Sequence, residues 1–345
     1  VIARRFCLCL VAASLLALSV CRSSRDDLPA SSRSASPPKV KGTITVLAVG
    51  DVNLGRKCGQ LILKEGPDFP FRHLREWIES YDLAICNLES NISEQAGQTE
   101  KPGNNLIFTA PPDAGRALSE AGWDVVSTAN NHSADYGAKA LLQTIHHLDR
   151  AGLRFNGTAP AADRLYQPTI LRVKDYRLAF LSVTDVTNGP VRGTEIEQYL
   201  NLAEKDCLLP ALMNAEAQAD FTILSYHGGV EYASAPTQAT RDFAHWAVEN
   251  GVDLVLGHHP HVIQGTEHYR DGLIIYSLGN FTFVQTGNPW TQLGVAATIT
   301  ISEGRIAGVG LIPVRAHYQP QVVKDTEVRI RVLRRISDLS RELTE

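Results

Sequence analysis

Carboxylate, carboxamide and imidazole side chains recur directly after short β-prone runs along this chain. Residues 44–50 lead into Asp51-Val52-Asn53, residues 83–87 into Glu89, and residues 125–129 into Asn130-Asn131-His132. Residues 221–225 lead into His227, and residues 252–256 into Gly257-His258-His259-Pro260-His261. At the carboxyl ends of strands in an α/β sheet such groups converge on one edge, where sites assemble. A lone Asp after a strand is ordinarily a turn or a helix cap, but five strand ends carrying metal-competent groups point to one shared site. The 257–261 tract is the strongest element, because a turn stiffened by proline aims two imidazoles the same way. Oxygen and imidazole donors without a thiolate suit Mn²⁺, Fe²⁺, Zn²⁺ or Co²⁺. About seven donors exceed the three or four of one zinc site, so two ions, or one ion plus substrate-binding groups, fit better. Two ions about 3.5–4 Å apart activate water and clamp the oxygens of a phosphoryl or comparable electrophile.

The elements that must position these groups alternate along the chain. Strands are expected at 44–49, 83–87, 125–129, 177–183, 221–225, 252–256 and 273–277, with helical patterns between them at 113–121, 138–151 and 238–250. In the last, Phe243, Ala244, Trp246 and Ala247 are spaced to form one buried stripe. Such alternation is the pattern of an α/β fold. Runs at 294–301, 306–314 and 328–332 have fewer helical spacers and read as antiparallel strands, which predicts a mostly parallel sheet joined by an antiparallel one. A flexible insert is expected around 188–206 and a loop around 95–105.

The 345 residues carry 33 Lys plus Arg against 37 Asp plus Glu, a net charge of −4, and 44% are hydrophobic. That content supports a large core and excludes wholesale disorder. The slightly acidic balance, without long basic runs, argues against nucleic acid as a partner. Neither a dinucleotide-binding glycine fingerprint nor a Gly-x-Ser-x-Gly elbow is present.

Arg4 and Arg5 precede an apolar run, residues 6–21, too short for the roughly 20 residues of a spanning helix. This predicts an export leader over 1–21. Residues 22–42 are rich in Ser and Pro and form a tether too polar to pack, which leaves 43–345 as one folded domain. A cysteine closing the apolar run resembles a bacterial lipoprotein acylation site. The expectation is therefore an exported protein, periplasmic or at the cell surface, anchored through lipid on Cys21 and touching the membrane only through its N-terminus, with soluble secretion and an uncleaved N-terminal anchor as the alternatives. Val20 departs from the small residue normal before such a cysteine. Cys58, Cys86 and Cys207 fit no disulfide scaffold, and Cys86 reads as a small buried hydrophobe.

Six compound motifs then resemble one family. GDVNLGR at 50–56, NLES at 87–90, ANNHSADYG at 129–137, HGGVEY at 227–232, GHHPHVIQG at 257–265 and YSLGNFTF at 276–283 look like the motif series of the CapA/PgsA family of capsule and poly-gamma-glutamate synthesis proteins. That family is similar to the calcineurin-like metallophosphatases. The resemblance implies a four-layer α/β/β/α sandwich with a centre for divalent ions, two in number, of Mn, Fe or Zn. It implies Asp51, Glu89, Asn131, His227, His259 and His261 as ligands, with Glu89 in the bridging position and His258 as an alternative within the histidine cluster. It further implies His132 as proton donor or transition-state stabiliser, acting with Asp51 at the catalytic centre, and an anionic cell-surface polymer or its precursor as partner. Arg56, Glu231 and Asn280 are candidates for substrate contact, and Asp135 for fixing the loop after His132; the Asn280 amide could instead orient the histidine cluster or simply close its strand. Asn53 stands where the superfamily has histidine, and Glu89 where it has aspartate. The implied activity is metal-dependent hydrolysis. The alternative is a non-catalytic accessory or polymer-binding subunit working beside membrane-bound synthase or export subunits.

Overall fold

Aliphatic and β-branched residues after Thr43 form β1 (Ile44–Val52), buried throughout except for Thr45. A computed structural model describes residues 41–344; the expected leader with Cys21, and the tether up to residue 40, lie outside them. After β1 come α1 (Arg56–Glu65), α2 (Arg75–Ile78) and β2 (Leu83–Leu88), then the short strands β3 (Asn91–Ile92), β4 (Glu100–Lys101) and β5 (Asn104–Ala110). Next are α3 (Ala114–Glu120), β6 (Val125–Ser127), α4 (Gly137–Arg150), β7 (Arg154–Asn156), β8 (Thr169–Val173) and β9 (Tyr176–Thr184). The middle of the chain supplies α5 (Lys205–Gln218), β10 (Phe221–His227), α6 (Gln238–Glu249), β11 (Leu254–His258), β12 (Thr266–Tyr269), β13 (Gly272–Ile275) and β14 (Asn280–Thr282). It ends with β15 (Leu293–Ser302), β16 (Arg305–Arg315), β17 (Gln321–Val322) and α7 (Thr326–Glu342).

These strands build an α/β fold with two large sheets. One is eight-stranded in the order β17-β16-β15-β1-β2-β6-β7, with β14 beside β1; the other is six-stranded, β12-β13-β11-β10-β9-β8. The first is parallel from β1 through β2 and β6 to its β7 edge and antiparallel from β1 through β15 and β16 to β17; the second has a parallel centre and antiparallel edges. The late antiparallel strands extend the first sheet rather than forming one of their own.

Side chains alternate across a strand, and the apolar clusters follow that alternation. Ile44, Val46 and Ala48 of β1 join a cluster with Leu178 and Phe180 of β9, Ile223 of β10 and Leu256 of β11, so both sheets share it. Leu47 and Val49 belong instead to a cluster with Ile62 of α1, Leu118 of α3 and Leu148 of α4. On the second sheet Ala179, Leu181 and Val183 pack with Leu208 and Leu212 of α5 and with Phe243, Ala244 and Ala247 of α6.

Three expectations fail. Residues 328–332 are helical, because the Val-x-Ile-x-Val alternation is accidental: Val332 and Ile336 are the buried pair, four residues apart, while Ile330 is 50% exposed. Asp325 caps this helix by accepting the Val328 N–H at 2.9 Å. Asp325→Ala should cost about 1 kcal/mol, read as a lower urea midpoint with an unchanged slope. Residues 188–206 are no loose insert, since Val191 and Leu200 are buried against Ala129 and residues 195–198 form a 3₁₀ turn. The 95–105 segment holds the β4–β5 pairing rather than a plain loop. Among the described residues Cys58, Cys86 and Cys207 are all free, the first two buried, and no helix is long and apolar enough to cross a membrane.

Candidate metal centre

Register brings the polar strand ends together. β1 pairs with β2 so that Asp51 faces Asn87, and β10 pairs with β11 so that His227 faces His258. Gly50 is required here: a Cβ on it would sit 1.7 Å from the Gly279 carbonyl oxygen, which accepts the Asp51 N–H at 3.0 Å. Past β11 the chain turns through His259 (φ 97°) and His261 (φ 58°), conformations that cost of order 1–3 kcal/mol each outside glycine and cluster at functional sites. Backbone bonds from Gly228 N to His258 O and from Tyr232 N to Pro260 O hold the turn.

Glu89 is the hub. Its carboxyl is fully buried and Oε1 has no hydrogen-bond partner. That oxygen lies 3.7 Å from His261 Nε2, 3.8 Å from His227 Nε2 and 4.0 Å from His132 Nε2. These spacings are too long for hydrogen bonds, but two donors each about 2.1 Å from one ion stand roughly 3–4 Å apart. Ligand atoms of Glu89, His227 and His259 lie within 4.8 Å of one another, and so do those of Asp51, Glu89 and His261. Two triads therefore share Glu89. The orphaned oxygen, together with His259 Nδ1, which also lacks a partner, fits a donor set built for divalent cations.

Electrostatics agree with that reading. Burial works to raise the Asp51 carboxyl, but the facing imidazoles of His258 and His261, 3.2 and 3.1 Å from its oxygens, outweigh it and hold Asp51 well below the usual range. Burial, reinforced by the Asp51 charge, holds Glu89 well above it. Burial and then the neighbouring His259 charge push His227 well down, and burial and then His261 take His259 down to about 4. Near neutral pH both imidazoles keep a free lone pair, as a metal ligand must.

Neighbouring groups fix these side chains. Asn87 donates to Asp51 Oδ1 at 2.9 Å, and its Nδ2 is 3.2 Å from His227 Nδ1. Asn130 donates to Asn87 Oδ1 and to the Leu88 carbonyl. Asn131 Oδ1 is 2.9 Å from His227 Nε2, and Asn131 donates to Asn188. His132 Nδ1 lies 2.8 Å from Asp135 Oδ2, which directs Nε2 toward Glu89, and Phe108 stacks on the ring at 4.1 Å. A cleft of about 390 Å³, lined in part by Leu106, Asn131, Asp135, Asn188 and Val191, opens at this end.

Three candidates for substrate contact differ in placement. Arg56 lies with its guanidinium 5.8 Å from the Phe108 ring centre. Glu231 is exposed, and its charge reaches Glu89 and His259. For Asn280 the substrate-contact reading is corrected and the histidine-orienting one kept: it is fully buried, its Oδ1 is 2.9 Å from His261 Nδ1, and its Nδ2 donates to Gln285 and the Thr291 carbonyl. Its amide is spent on protein groups, so it orients His261 instead of meeting substrate. Asn53 accepts the Gly55 N–H at 2.8 Å and forms a local turn. Sequence reasoning passed over Asn87, which sat inside a strand-like run, although a polar residue closing an apolar run was the available signal. His258, kept only as an alternative, has Nδ1 3.2 Å from Asp51 Oδ1. Asn188 carried no signal.

Comparison with known proteins decides the family. Residues 45–285 match the bacterial capsule synthesis protein family PGA_cap. The chain belongs to this family. The PGA_cap match includes every residue of both triads and ends between β14 and β15. The chain is 31% identical over 261 residues to the capsule biosynthesis protein CapA of Bacillus anthracis, covering 74% of this chain and 63% of that protein, just under two thirds of its length. It is 26% identical over 270 residues to the PGA biosynthesis protein CapA of Bacillus subtilis, covering 77% and 70%. Among solved structures, a 5′-nucleotidase from Candida albicans aligns at 12% identity with a TM-score of 0.44, over 87% of this chain and 58% of that one.

Proposed function

We propose that this PGA_cap protein is a metal-dependent hydrolase that processes an anionic cell-surface polymer, capsule or poly-gamma-glutamate, or its precursor. The observation that carries the reading is the buried, unpartnered Glu89 Oε1 standing between two ligand triads. The sequence of helices, sheet, sheet and helices supported by the apolar clusters favours the four-layer metallophosphatase-like sandwich. Asp51, Glu89, His227, His259 and His261 would hold two ions, with Asn131 as a further oxygen donor. When bound, the ions supply Lewis acidity at the scissile phosphoester or amide-like bond and lower the pKa of water. His132 holds the proton for the leaving group at Nε2, and Asp135 stabilises the imidazolium from Nδ1. Family context supports an exported, cell-surface location; anchoring through Cys21 and association with membrane-bound synthase subunits are part of the proposal.

His132→Ala should lower turnover by about 10²–10⁴-fold while metal content stays at the parental level. The check is single-turnover assay of phosphoesters and of poly-gamma-glutamate beside elemental analysis. Parental turnover of every accepted substrate by both the His132→Ala and the His261→Ala chain would remove the catalytic reading. A specific feature then favours the non-catalytic accessory role: Asn53, a weaker neutral ligand than histidine, already has its Oδ1 accepting the Gly55 N–H at 2.8 Å.

A further inference from the structure

On the Phe283 side of the centre the chain opens a second cleft, of about 210 Å³, whose lining includes Gly55, Arg56, Lys57, Thr282, Phe283 and Tyr318. Three independent features of this cleft favour negative charge. The first turn of α1 has no side-chain cap and no acidic residue, so the Lys57 and Cys58 N–H groups, which a helix cannot satisfy internally, remain directed outward from its end. Arg56 and Lys57 follow the cap residue and have no ion pair among the described residues, and Glu100 is the one carboxylate in the lining. Thr282 is 1% exposed, and its hydroxyl has no hydrogen-bond partner.

Local structure explains why these groups meet. Gly55 can cap α1 only as glycine, because a Cβ there would stand 2.9 Å from the Thr109 carbonyl oxygen. The Asn53 N–H donates to the Thr282 carbonyl at 2.9 Å, locking the loop before α1 against β14. Asn280 and Thr282 are two residues apart on β14 and so share a face: the Asn280 amide meets His261, and Thr282 belongs to the cleft lining. Phe283, also in the lining, has its ring 4.7 Å from that of His261. Phe283 therefore stands between the cleft and the metal centre.

We infer that Arg56, Lys57, the Thr282 hydroxyl and the first-turn N–H groups of α1 form an oxyanion subsite that seats a carboxylate or phosphate of the substrate beside the metal centre. The assignment rests on the proposed function only for what happens to the bound molecule; binding itself needs no metal. An uncapped helix end and two cations supply charge, and Thr282 supplies a directed hydroxyl donor to a dry acceptor.

The test is equilibrium dialysis of the full chain in excess chelator, with inorganic phosphate and, separately, tri-γ-glutamate as probes. The expected result is binding of at least one probe, weakened about tenfold or more in Arg56→Gln/Lys57→Gln and several-fold in Thr282→Val, with uptake of added Mn²⁺ unchanged in each. Phosphate alone binding assigns the site to a phosphate-bearing substrate, and the glutamate oligomer alone binding assigns it to a polycarboxylate. Thr282→Val keeps side-chain volume and so decides the matter should the double variant fail to fold. Failure of both probes to bind, or wild-type affinity in both variants, overturns the subsite. Anion binding by a chain that takes up no metal would instead sink the metal centre and leave the subsite standing.

Discussion

The Glu89→Ala chain should lose divalent ions from both triads at once, whereas His259→Ala should weaken one triad and spare Asp51, Glu89 and His261. Removing a group that merely supports a ligand costs roughly 10–100-fold in metal affinity, and removing a carboxylate shared by two ions should exceed that for each. The fold should survive, because the hydrogen bond that Glu89 receives from protein is long, 3.4 Å from Asn87 Nδ2. Elemental analysis with circular dichroism on the same samples separates the outcomes. A Glu89→Ala chain that keeps both ions would show that the triads do not share this residue.

The second large effect is on stability. Phe281 is fully buried between Asn280 and Thr282 on β14, in edge contact with Trp123 at 5.9 Å. Phe281→Ala should cost about 3–5 kcal/mol through lost burial and the cavity left behind. Because its neighbours in sequence orient His261 and line the anion cleft, metal and anion affinity should fall with it. Leu106, 67% exposed, provides the contrast: Leu106→Ala should stay within about 0.5 kcal/mol. Urea unfolding of the metal-free chains reads both. Equal midpoints would mean that β14 is not held by this packing.

The strand ends were legible because burial on both faces writes a strand as a continuous apolar run, and a polar residue closing such a run stands out. That logic found Asp51, Glu89, His227 and the 257–261 tract, all of which the fold gathers at one edge. It failed where local pattern and tertiary burial disagree. Residues 328–332 alternate like a strand, yet only the 332 and 336 pair is buried. Residues 188–206 have loop composition, yet Val191 and Leu200 are anchored in the interior. Asn188 meets Asn131 across 57 residues of sequence, a contact that no local spacing encodes. For Asn280 the sequence offered substrate contact, orientation of the histidine cluster and simple strand closure side by side, and only the structure places its amide oxygen 2.9 Å from His261 Nδ1. Thr282 was invisible for a similar reason: an unpartnered hydroxyl is a property of its surroundings.

The most direct measurement is metal stoichiometry of the full chain, purified without chelator and reloaded anaerobically with Mn²⁺, Zn²⁺ or Fe²⁺, against a His259→Ala/His261→Ala chain. A two-triad centre predicts about two ions per chain, falling well below one in the double variant. No uptake of any of the three metals by the folded parent chain, or equal uptake by the variant, would contradict a metal centre bridged by Glu89.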